Sequence, residues 1–217
     1  MKNLLNKELK LATLPLTWFF LGFSVMTFLP GYPILLGSFF ICLGIFQSFQ
    51  MSREANDTLY TVLLPIRKAD AVAAKYICVC FFEVAAFILM AVFTAIRMTV
   101  LADKAAYVKN ALMNATPVYL AFVLIVFLLF NIIFVGGFYK TAYKIGKPFI
   151  LFIIVTFIVV GIAEALIHVP SLQFLHDPAG QRLGIQFAAL AVAAVLYIVL
   201  TMAAEKKSER RFETIDL

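Results

Sequence analysis

Charge is scarce in this chain of 217 residues: 14% are Asp, Glu, Lys or Arg, where a soluble domain carries ~25%. Cysteine (three), histidine (two) and tryptophan (one) are scarce as well. Two of the cysteines, Cys78 and Cys80, share one apolar run, so the set forms neither a disulfide framework nor a paired CxxC metal motif and reads as buried thiols. No GxxxxGK(S/T) phosphate loop occurs, so nothing in the chain cradles the phosphates of ATP. GxSxG, HExxH and a paired-glutamate stretch with a basic partner are also missing, which leaves an intramembrane enzyme without its machinery. What remains is 64% hydrophobic with a mean hydropathy of +0.99. Such a chain needs a solvent other than water and is a membrane protein. At ~20 residues per crossing the length holds at most about eight spans, with no room for a soluble enzyme domain or an attached ATPase.

Apolar runs cover residues 14–29, 34–51, 72–96, 118–138, 149–167 and 183–202, which predicts an all-α membrane fold of six helices in a single domain over residues 1–217. Their continuity excludes the alternating pattern of a barrel. Pro30-Gly31-Tyr32-Pro33 cannot continue a helix and makes the first two spans a tight hairpin. The first run stops at Pro30 without a small-residue cleavage site, so a retained span is expected rather than a removable signal. Of the 18 basic residues, all but Arg97, Lys104, Lys109 and Arg182 fall on one side of this alternation. The positive-inside bias therefore places both termini in the cytoplasm and accounts for the net charge of +6 as topology, without a nucleic-acid partner. Gly44 with Ser48, and Ala189 with Ala193, are small residues four apart where helices can approach closely. Most of the phenylalanines are expected to face lipid, with Trp18, Tyr32, Tyr139 and Tyr143 at the interfaces.

The cytoplasmic connection after the second span runs Ser52-Arg53-Glu54-Ala55-Asn56-Asp57-Thr58-Leu59-Tyr60-Thr61-Val62-Leu63-Leu64-Pro65-Ile66-Arg67-Lys68-Ala69-Asp70. Asp57 can cap a short helix beginning at Thr58, Pro65 ends it, and Asp70 can cap the helix that enters the third span. The result is an elbow of two helices about Leu64-Pro65. Its apolar residues Leu59, Tyr60 and Leu63 suit either the headgroup region or a docking ridge for a cytoplasmic partner.

The stretch Leu63-Leu64-Pro65-Ile66-Arg67-Lys68-Ala69-Asp70-Ala71-Val72-Ala73-Ala74-Lys75-Tyr76 resembles the LPxx(R/K)xxx(V/I)xxKY element after the second helix of small bacterial ABC-2 type permeases. Asn6-Lys7-Glu8-Leu9-Lys10, on a short amphipathic helix before the first crossing, is similar to that family too, as are Glu54-Ala55-Asn56-Asp57 and the six-span plan. The resemblance implies the membrane subunit of an ABC exporter, with two copies of a cytoplasmic ATPase that bind the ATP and Mg. It implies a homodimer or a heterodimer with a similar permease, in a bacterial cytoplasmic membrane. Glu54, Asn56, Asp57, Thr58, Leu59 and Tyr60 would contact the ATPase, while Leu64, Pro65, Arg67 and Lys68 would set the elbow and its depth. The cargo expected is an amphipathic peptide, drug or other hydrophobic molecule moved outward. The alternative is the six-helix substrate-binding subunit of an energy-coupling-factor vitamin importer, for which no amphipathic elbow is expected.

Polar residues within the apolar runs are the other candidates. Glu83 lies about 12 Å into the third helix beyond Lys75 at ~1.5 Å per residue, where an ionised carboxylate costs ~2.5–3.5 kcal/mol. It reads either as an acid hydrogen-bonded to Asn131 or Gln47, or as a cavity residue meeting a cationic or amphipathic cargo. Glu164 and His168, four apart near the outer boundary, suit a gate at the outer mouth. With His176 and Asp177 they have no spacing that fixes four metal ligands. Residues 105–113 have helical propensity and form an outer connector or lid.

Overall fold

The computed structural model describes residues 2–12, 15–108, 110, 112–141, 144–175, 177 and 182–215. Leu14, Lys109, Ala111, Tyr143 and His176 lie outside them. Among the described residues every regular element is helical. α1 (Lys2–Lys7) widens to π geometry over Glu8–Ala12, and α2 (Pro15–Phe20) tightens to 3-10 geometry over Leu21–Phe28 before the Pro30 turn. Then come α3 (Leu36–Glu54), α4 (Asp57–Leu63), α5 (Lys68–Thr99), α6 (Pro117–Phe138), α7 (Gly146–Ala165) and α8 (Leu183–Glu213). Among the described residues four helices, α5 to α8, are long and apolar enough to cross a membrane, and a fifth crossing arises if α1 and α2 together form one bent span. α3 has 19 residues, a length of about 28 Å. Gln47, Gln50, Ser52, Arg53 and Glu54 dilute its second half, which leaves it less apolar than the others.

α6 is the axis of the bundle. Within the molecule 72% of its apolar window is buried, against 39% for α5, 28% for α7 and 17% for α8. In lipid, apolar surface gains little by leaving the tails, so shape-matched packing must hold such an axis in place. Aromatic rings supply much of it. Phe46 stacks on Phe149 at 3.7 Å, and Phe134 packs edge-on against Phe46, Phe49 and Phe149. Of the 23 phenylalanines, ten are buried, nine are partly buried and four are exposed, so most contribute to packing between helices and few are purely lipid-facing filler. Tyr139, expected at an interface, is likewise buried, against Tyr76 and Phe212.

Gly44 is the point where α2 meets α3. A Cβ there would collide with Cβ of Phe20, and the Thr17 hydroxyl donates to the Gly44 carbonyl at 3.0 Å. At the far end of the bundle Arg97 is buried, donating to the carbonyl of Thr27 at 2.6 Å and to Oδ1 of Asn114 at 3.1 Å. Thr116 caps α6, with Pro117 in the first position where a missing N–H costs nothing. Of the expected helix over residues 105–113, the described residues show one turn, Ala105–Val108.

Candidate functional site

Two residues, Asn56 and Leu64, turn the chain between α3 and α5. Asn56 adopts a left-handed conformation (φ 51°), a geometry asparagine tolerates better than most residues, and turns the chain into α4. Leu64 is extended (ψ 154°), as a residue before proline prefers, and ends α4. The cap proposed for Asp57 is displaced by one position: the helix begins at Asp57 itself, and its carboxylate is drawn away to a lysine. Asp70 sits in the first turn of α5 behind Lys68, with Arg67 in the cap position, and pairs with Arg67 at 2.8 Å. That exposed pair holds the Asp70 carboxyl below the usual range through the Arg67 hydrogen bond, and raises the Arg67 guanidinium by the same contact. A pair so open to solvent contributes little to stability.

α4 has two unlike faces. Tyr60 is 66% exposed and Leu63 73%, with Leu59 and Leu64 about half exposed, which forms an apolar ridge. Asp57 and Thr61 turn inward. Lys7 Nζ meets both carboxylate oxygens of Asp57, at 2.7 and 2.8 Å, and also donates to the Thr61 hydroxyl. Beside it, Lys75 Nζ lies 2.8 Å from Glu8 Oε2 and 3.2 Å from the Ser52 hydroxyl, over the ring of Phe49. Burial alone would raise the Glu8 carboxyl; Lys75, and after it Lys7, outweigh that and hold it below its ordinary value of 4.5. Four segments, α1, α3, α4 and α5, are therefore tied by one cluster of charges beside the elbow sequence. Glu54 and Asn56 are exposed and Thr58 is half-buried. Lys68 donates to the carbonyl of Ile215 at 2.6 Å, joining the start of α5 to the end of α8.

Lys7, Glu8 and Lys75 were not candidates in the sequence. A signal existed: Lys75 is the one charge within the run from Ala71 to Phe82, and a lysine so placed needs a partner. Local spacing could not name that partner, because Glu8 lies 67 positions away.

The second cluster lies inside the bundle. Glu83, on α5, is fully buried; Tyr197 of α8 donates to its Oε2 at 2.6 Å and Asn131 of α6 at 2.8 Å. Asn131 also reaches the Thr201 hydroxyl at 3.4 Å. Asn131 sits where α6 widens into a π-type turn over Phe130–Val135, and its carbonyl accepts from Tyr76 at 3.3 Å. Of the two partners expected for Glu83, Asn131 is the one the fold brings to it; Tyr197 had no sequence signal. Glu83 and Asn131 are thus together, whereas Glu164 and His168 lie on another helix and the turn after it. Glu164 accepts the Met113 backbone N–H at 2.8 Å, so it fastens the connection ahead of α6, and His168 is exposed. Among the described residues no three His, Cys, Asp or Glu side chains form a group that could hold a metal ion.

A family model described as "ABC-2 family transporter protein" matches residues 2–208. No curated protein and no solved structure matches the chain.

Proposed function

The chain belongs to the ABC-2 transporter family, and from that premise we propose that it is the permease of an ATP-driven exporter whose α4 ridge docks on a separate ATPase. Membership by itself gives a membrane-spanning permease component of an ABC transporter, and it does not favour a vitamin-importer subunit. In the finer reading α1 lies at the inner surface, α2 and α3 form the first two crossings, and α5 to α8 the other four. Both termini are cytoplasmic, in a bacterial cell membrane, as the distribution of basic residues supports. Two ATPase copies, which bind the ATP and Mg, serve a homodimer or heterodimer of permeases. The cargo is an amphipathic peptide, drug or similar hydrophobic molecule.

One observation carries the reading. α4 turns Leu59, Tyr60 and Leu63 outward while its other face is fixed by Lys7 to α1. An apolar ridge on a rigid mount is what a partner can push. Force applied there passes through the charged cluster into α3 and α5, the two helices the elbow joins, without loss to a loose loop. Glu54, Asn56 and Thr58 flank the ridge as polar contacts, and Pro65 stiffens the corner.

The test is to co-express the chain with the ATPase from the same source and purify by a tag on the permease. The ATPase should accompany the wild type and be lost with Leu59→Asp or Tyr60→Asp, while the folded permease persists in gel filtration. Full retention by both variants, or labelling of a cysteine at position 60 from outside intact cells, would refute the docking role.

A further inference from the structure

The 31 residues of α8 span about 46 Å at ~1.5 Å per residue, longer than a hydrocarbon core of ~30 Å. Its last turns therefore leave the membrane, and they are sorted by sign. Lys206, Lys207, Arg210 and Arg211 fall within about 140° of the helical circumference at ~100° per residue. Glu209 and Glu213 lie outside that arc at the same spacing, near enough to Arg67 to act on it electrostatically. Lys206, Lys207 and Arg210 are exposed, and Arg211 is half-buried with its guanidinium donating to the Gly136 carbonyl at 3.4 Å.

Topology alone explains basic residues at this level, but not the shape beneath them. The basic residues form an open face of α8, and a groove of about 210 Å³ follows the seam between α6 and α8; Ala203, Lys207 and Arg211 belong to both. Toward the membrane the seam is walled by Ile132, Leu200 and Ala204, and Gly136 beside them carries no side chain. Among the described residues no acidic side chain lines the face or the groove. A cationic rim that opens into an apolar slot fits a molecule with an anionic head and a hydrocarbon tail. A soluble polyanion would satisfy only the rim.

We propose that the α6–α8 seam is a binding site for one anionic phospholipid of the inner leaflet, with the phosphate held by Lys207 and Arg211 and an acyl chain along Ile132, Leu200 and Ala204. Lys206 and Arg210 extend the attracting field around it. The leaflet assignment rests on the orientation given above; the site itself needs neither the ATPase nor transport.

The experiment uses the full chain in detergent with equal phosphatidylglycerol and phosphatidylcholine, and native mass spectrometry reads which lipid stays bound. Wild type should retain phosphatidylglycerol preferentially, and Lys207→Gln with Arg211→Gln should lower that preference about tenfold or more. Ala204→Phe keeps every cation but fills the slot, and should lose the retained lipid as well. Equal retention of both lipids by wild type, or an undiminished preference in either variant, overturns the site. So does a result in which the charge variant loses the ATPase while its lipid preference is unchanged, which would make the rim a protein contact. A cysteine replacing Lys206 should react with an impermeant maleimide only in inverted vesicles; reaction in intact cells overturns the inner-leaflet assignment. Failure of the ATPase to co-purify with wild type would sink the docking role and leave the lipid result standing.

Discussion

Replacing Lys75 with methionine keeps the length of the side chain and removes its charge. In the wild type the Lys75 and Glu8 side chains are 9% and 7% exposed and 2.8 Å apart. Removing one partner of a buried pair typically costs ~3–5 kcal/mol, because the other charge is stranded. Here Lys7 lies 3.4 Å from Glu8 and still offers partial compensation, although it is also engaged by Asp57. The expected cost is therefore near the lower end, about 3 kcal/mol, or a fall in melting temperature of roughly 6–12 °C at ~2–4 °C per kcal/mol for a chain of this size. Glu8→Leu combined with Lys75→Met removes both charges, and should recover most of that loss, a coupling of about 2 kcal/mol or more. Thermal unfolding in detergent, followed by tryptophan fluorescence of Trp18 and by circular dichroism, measures Lys75→Met, Glu8→Leu and their combination. The pH dependence has a fixed sign. The Glu8 carboxyl titrates lower in the folded chain than unfolded, so its contribution is complete above the ordinary value of 4.5 and is lost as pH falls through the depressed folded value. The Glu8→Gln variant should flatten that acid-side loss. If each single substitution costs under about 1 kcal/mol and the effects simply add in the double variant, the pair is not buried as described and the mount beneath the elbow is not rigid.

Two further outcomes follow from the packing. Glu83→Gln retains an oxygen to accept from Tyr197 and Asn131, and should shift stability by less than about 1 kcal/mol, whereas Tyr197→Phe, which removes the 2.6 Å donor, should cost ~1–3 kcal/mol; near-equal melting temperatures for wild type and Tyr197→Phe would contradict the network. Gly44→Leu should destabilise by ~1–3 kcal/mol and loosen α2 from α3, because Phe20 presents its Cβ and ring base there and cannot swing aside; a well-folded Gly44→Leu protein with unchanged cross-linking between positions 17 and 44 would contradict the close contact.

The membrane helices were legible because lipid demands continuous apolar runs, and the starts agree closely: the run at 118–138 became Pro117–Phe138, and the run at 183 became α8. The ends agree less well. α8 continues past 202 to Glu213 because charged residues can extend a helix in water as well as apolar ones extend it in lipid. The end of α4 was readable from Pro65, since a proline acts on its immediate neighbours. The cap at Asp57 was misplaced for the opposite reason: its carboxylate answers to Lys7, fifty positions away, and nothing local encodes that. Asn131 was named as a partner for Glu83 because a lone amide in an apolar run is conspicuous, while Tyr197 was hidden among interfacial aromatic residues.

The bond from Lys68 to the Ile215 carbonyl, with Phe212 wedged behind it against Tyr139, has a consequence for biogenesis. A ribosome delivers the elbow 147 positions ahead of the piece that braces its far shoulder. Until that later stretch threads into place the nascent corner is half-assembled, and a companion subunit arriving too soon would meet a surface not yet set.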